Sequence, residues 1–72
     1  MGIPSLDLLT ALVLKLEGQT AVHKANIQVY LENPVGIGEH PDIVAAIESE
    51  TEKLAAAQEK IDVLQKHFIL PE

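Results

Sequence analysis

Two stripes of mainly apolar residues, each advancing by alternating steps of three and four, constrain this chain more than anything else in it. The first runs Leu6, Leu9, Val13, Leu16, Thr20, His23, Ile27, Tyr30, and the second Ile43, Ile47, Glu50, Leu54, Ala57, Ile61, Leu64, Phe68. A repeat of this kind keeps one seam turned toward a partner on helices wound into a left-handed pair. Between the stripes, the stretch Asn33-Pro34-Val35-Gly36-Ile37-Gly38-Glu39-His40-Pro41 concentrates prolines and glycines and breaks helix more strongly than any other segment. An antiparallel hairpin pairs positions whose residue numbers sum to a near-constant value, and the stripes meet that condition along their whole length. Leu6 falls opposite Phe68, Leu9 opposite Leu64, Val13 opposite Ile61 and Leu16 opposite Ala57. Thr20 then meets Leu54, His23 meets Glu50, Ile27 meets Ile47 and Tyr30 meets Ile43.

The predicted fold is all-α: a single domain over residues 1–72, an antiparallel two-helix hairpin of about 5–33 and 41–68 with a loop at about 33–41. Ser5 suits the first N-cap and Asp7 the positive end of the helix dipole. Asn33 suits the exit, with Pro34 barring continuation. Pro41 fits the opening turn of the second helix and Asp42 complements its dipole. Gly18 costs about 1 kcal/mol against Ala inside a helix, which close helix approach could explain.

A hairpin leaves apolar surface unaccounted for. Leu8, Ala11, Leu12 and Leu14 lie off the first stripe, so the start of helix 1 is apolar around most of its circumference, as in a buried helix. Contiguous patches of this kind mark interfaces. The expected interface comprises Leu6, Leu8, Leu9, Leu12, Val13 and Leu16, with Ala45, Ala46, Ala55 and Ala56 as a small-residue flank on helix 2. Closure into a four-helix bundle or a larger helical homo-oligomer follows.

Charge excludes several classes of function. The chain has 72 residues, five basic and eleven acidic, for a net charge of −6, and every basic residue is Lys. Such a surface repels duplex DNA and lacks the forked Arg that grips phosphate, so no nucleic-acid partner is expected. The run Leu6–Leu16 has no basic residue before it and is about half the ~20 residues a bilayer span needs, so neither a signal peptide nor a membrane partner is expected. A cytoplasmic protein is the expectation. Without cysteine, neither disulfides nor thiolate ligands are available.

His23 and Glu50 are the ionisable intruders in the stripes, and the register places them in one layer. A buried polar pair that fixes register and oligomeric state is one use for them. A metal or proton site doubled by symmetry is another, although the Glu-x-x-His motif of carboxylate-bridged di-iron bundles is missing. The Gly-x-Gly of the loop lacks the third glycine, the strand and the Lys of a phosphate cradle. Val35 and Ile37 are expected to tuck over the bundle end, and Glu39, His40 and Asp42 to be solvated. No nucleophile–base set stands out. The sequence therefore predicts no enzyme, no catalytic or metal residues and no cofactor.

The negative charge gathers where the hairpin turns. Glu32, Glu39, Asp42, Glu48 and Glu52, with Glu50 among them, form an acidic tip, whereas charges elsewhere cancel. The segment Asn33–Val44 between two such helices resembles one found in small uncharacterised helical proteins of marine cyanophages and ocean environmental sequences. That resemblance implies a phage or marine microbial setting and no activity, cofactor or catalytic residue. Two functions are in view: a self-associating structural or accessory protein, and a small acidic module that docks a basic protein partner through its tip. An intersubunit metal-binding bundle is a remote third.

Overall fold

In this computed structural model the described residues are 4–32 and 40–68, with side chains from 7 and 42 onward. They form two helices, α1 over Pro4–Glu32 and α2 over His40–His67, packed as an antiparallel hairpin. The molecule is a rod of 52 × 21 × 16 Å, as expected for helices of 29 and 28 residues rising about 1.5 Å per residue.

The helix ends differ slightly from the sequence reading. Helix α1 starts at Pro4, whose missing N–H and fixed φ suit a first helical position. Ser5 therefore lies inside the first turn and is not the N-cap. Helix α2 starts at His40, with Pro41 and Asp42 in its first turn and Lys66 and His67 in its last, and the charges of Asp42 and Lys66 complement the dipole. The Phe68 N–H donates to the Leu64 carbonyl at 2.8 Å, beyond which no helix continues among the described residues. Phe68 is thus 63% exposed and sets its ring edge-on to His67 instead of closing a seam layer. The expectations for Leu6, Val35, Ile37 and Glu39 and for the side chain of His40 lie outside the described residues.

Burial follows the two stripes. Leu16, Thr20, Ile43, Ala57 and Ile61 are buried, while Leu9, Val13, His23, Ile27, Tyr30, Ile47, Glu50, Leu54 and Leu64 are half-buried. Leu16, Ala57 and Ile61 form one cluster with Leu64 packed against it, the small Ala57 making room for Leu16. Thr20 satisfies its hydroxyl by donating to the Glu17 carbonyl at 2.8 Å. A Cβ added at Gly18 would meet nothing within 4 Å, so this glycine is not required for the approach of α1 to α2.

The core is thin. No side chain among the described residues is completely buried, and four apolar residues carry the deepest packing. At about 1.5–3 kcal/mol for each of Leu16, Ile43 and Ile61, and less for the single methyl of Ala57, they offset little of the conformational entropy of ordering two long helices.

Candidate functional site

Three features could carry function: a polar layer in the seam, a groove beside it, and the acidic surface toward the loop end. The polar layer comes from the register. Steps of three and four place His23 of α1 and Glu50 of α2 at facing seam positions, between Thr20–Leu54 on one side and Ile27–Ile47 on the other. The structure brings them together, His23 Nδ1 lying 2.7 Å from Glu50 Oε1, with side chains 19% and 13% exposed. Asn26 Nδ2 donates to the same oxygen at 3.2 Å. With a proton on Nδ1, His23 donates to a carboxylate oxygen that accepts twice.

The hydrogen bond from His23 is the main cause holding the Glu50 carboxyl below its ordinary value, and the bond from Asn26 comes next. Partial burial opposes them, and the charges of His23 and Lys53 add smaller contributions in the same downward direction. Every buried side-chain polar atom among the described residues has a partner. Asn26 has no counterpart in the sequence reading. It sits three residues after His23, which puts it on the same side of α1 beside the seam. Chemically, the layer can orient and hold a proton, and the Thr20 hydroxyl of the neighbouring layer is bonded to the Glu17 carbonyl. No group of three metal-capable side chains occurs among the described residues.

Beside this layer runs a groove of about 700 Å³ between the helices, and His23 contributes its ring to the wall. Its charged lining is Lys15 of α1 with Lys53 and Lys60 of α2, and no carboxylate lines it. Val22 and Ala56 supply apolar floor, and Gly18 keeps the α1 side low. Lys53 and Lys60 are one heptad apart, about 10 Å along the helix. The antiparallel register sets Lys15 between their levels. In a chain of net charge −6, the fold has therefore collected a carboxylate-free cluster of ammonium groups.

The groove continues into exposed apolar surface. On α1, Leu8, Leu12, Lys15, Gln19, Val22, Asn26 and Val29 form a second stripe of alternating steps of four and three, about 100° round the helix from the seam. Leu8 is 73% exposed, and Leu12, Val22 and Val29 are exposed with it. Val63 of α2 is exposed too. The interface set drawn from sequence divides here. Leu16 is 4% exposed and packs on Ala57 and Ile61, while Leu9 and Val13 are half-buried in the same seam. Within the hairpin these three face α2, which leaves Leu8 and Leu12 as the members open to another molecule.

Of the acidic set, Glu32, Asp42, Glu48 and Glu52 are exposed, and Glu39 lies outside the described residues. Glu32 accepts from Gln28 at 2.6 Å. Glu50 turns inward to His23 and so does not belong to the surface.

No described helix is long and apolar enough to cross a membrane. No family model matches the chain, and neither a curated protein nor a solved structure does.

Proposed function

We propose that this protein is a self-associating helical building block, a structural or accessory component whose hairpins assemble side by side. The observation that supports the reading is the second α1 stripe. A helix with apolar residues on two stripes about 100° apart is shaped to touch two neighbours, as in a bundle of four or more helices. The hairpin supplies only α2 as a neighbour and leaves Leu8, Leu12, Val22 and Val29 in water. Another copy covers them, and the thin seam makes that cover a substantial part of stability. The polar layer then serves as a register device, because a one-heptad slip along the seam would strand Glu50 among apolar side chains. A small virion or assembly component fits this reading and the loop resemblance to marine cyanophage proteins.

The test is to place charge on the stripe. Leu12→Glu with Val22→Glu changes residues already exposed in the single chain, so helicity at high protein concentration should survive. The expected result is a drop to monomer in light scattering, whereas an unchanged oligomer would remove the stripe from the interface. A second reading rests on the exposed Glu32, Asp42, Glu48 and Glu52, which make no ion pair among the described residues. They could dock a basic partner. Salt-sensitive binding of a lysine-rich helical peptide, lost in Glu48→Gln with Glu52→Gln, would support that reading.

A further inference from the structure

We infer that the copies associate head to tail, the outer face of α2 of one copy lying in the lysine groove of the next. The inference rests on self-association and specifies its geometry. The occupant is indicated by charge. Along α2, Glu48, Glu52, Ala55, Glu59 and Asp62 advance by steps of four and three, and all are exposed. This gives a stripe of four carboxylates and one small residue facing away from the seam. Lys53 and Lys60 immediately follow Glu52 and Glu59 in sequence, and the 100° turn per residue carries them a little over a quarter turn round the helix, into the groove. Each hairpin thus presents a basic groove on one face and an acidic ridge on another, both with a heptad repeat. Glu52 and Glu59 are separated by the same ~10 Å as Lys53 and Lys60. The small Ala55 between them lets the ridge settle toward Val22 and Ala56.

The alternative of a two-fold contact centred on the groove is unfavourable. It would set Lys15, Lys53 and Lys60 against their own symmetry mates with no carboxylate in the groove to intervene, and like charges juxtaposed in an interface cost several kcal/mol. A head-to-tail contact joins two different surfaces, so it repeats into a ring or a filament and does not stop at a dimer.

Charge exchange tests the inference, because combining both pairs of changes returns the native composition and net charge of −6. Three variants are compared with the native chain by sedimentation at low salt, with helicity checked by circular dichroism. The groove variant is Lys53→Glu with Lys60→Glu, the ridge variant is Glu52→Lys with Glu59→Lys, and the third combines all four. Head-to-tail packing predicts that each double variant associates at least about tenfold more weakly than the native chain. It also predicts that the two recover association when mixed and that the fourfold variant associates with itself. Two facts overturn the inference but leave self-association standing: a ridge variant that associates as the native chain does, or a fourfold variant as weak as the groove variant. A native chain that stays monomeric removes both the inference and the reading beneath it. If the groove instead takes an anionic small molecule or another acidic protein, the ridge variant associates normally, and the inference fails in the same way.

Discussion

Truncating Ile61 to alanine probes the seam where it is best packed. Ile61 is 5% exposed in the cluster with Leu16 and Ala57, and Leu64 packs beside it. The change removes three carbons. At about 0.8 kcal/mol per buried methylene, the transfer loss is about 2.4 kcal/mol. A cavity contribution is added where the surroundings cannot close up. Here the seam is only two helices wide, so the gap lies near the surface and partial collapse is easy. The expected cost is therefore about 2–3 kcal/mol, toward the lower end of the range for such truncations. For a domain of this size that corresponds to a melting shift of about 8–24 °C. Leu9→Ala, at a half-buried position, should cost less than Ile61→Ala. Lys24→Ala and Lys66→Ala, both exposed, should stay within about 0.5 kcal/mol. Thermal and urea unfolding followed by circular dichroism measure these differences. All variants must be held at one protein concentration, because association and folding are coupled. An Ile61→Ala shift no larger than that of Lys66→Ala would refute the assignment of faces.

Three further outcomes follow from the polar layer and from Gly18. His23→Leu and Glu50→Leu should each lower the melting temperature, and the double variant should recover much of the loss. A double-mutant cycle reads this directly, and simple additivity would show that the two do not act as a pair. Acid should weaken the fold in a defined window. The Glu50 carboxyl is held below its ordinary value of 4.5 in the folded chain, so its contribution is complete above that value and is lost as pH falls through the depressed one. Melting temperatures measured downward from about pH 6 should therefore fall less steeply in Glu50→Gln. Gly18→Ala should raise stability by up to about 1 kcal/mol through helix propensity, since the added methyl meets nothing within the hairpin. A loss of association with retained helicity would instead place another copy's backbone against Gly18.

The seam was legible because two independent patterns had to agree. The heptad stripes and the antiparallel pairing each restrict the register, and His23–Glu50 at 2.7 Å together with the Leu16–Ala57–Ile61 cluster are where they meet. Phe68 departs from its stripe because α2 ends at His67, and a seam position has meaning only where helix continues. Asn26 was harder to see. It flanks the seam by one position, and its amide reaches the carboxylate from there. The groove was concealed by net-charge reasoning. Over the second half of α2 acids and bases cancel in number, yet Glu52 and Glu59 lie on a different face from Lys53 and Lys60. Cancellation along a sequence is compatible with strong segregation around a helix, and reading Lys15, Lys53 and Lys60 onto one flank would have revealed it.

The exposed second stripe of α1 makes association the central claim, and sedimentation equilibrium of the native chain across a wide concentration range tests it most directly. The account predicts a mass above that of one 7.8 kDa chain at micromolar concentration, falling toward it on dilution as helicity declines in parallel. A single 7.8 kDa species that keeps its full helicity at every concentration would contradict the account.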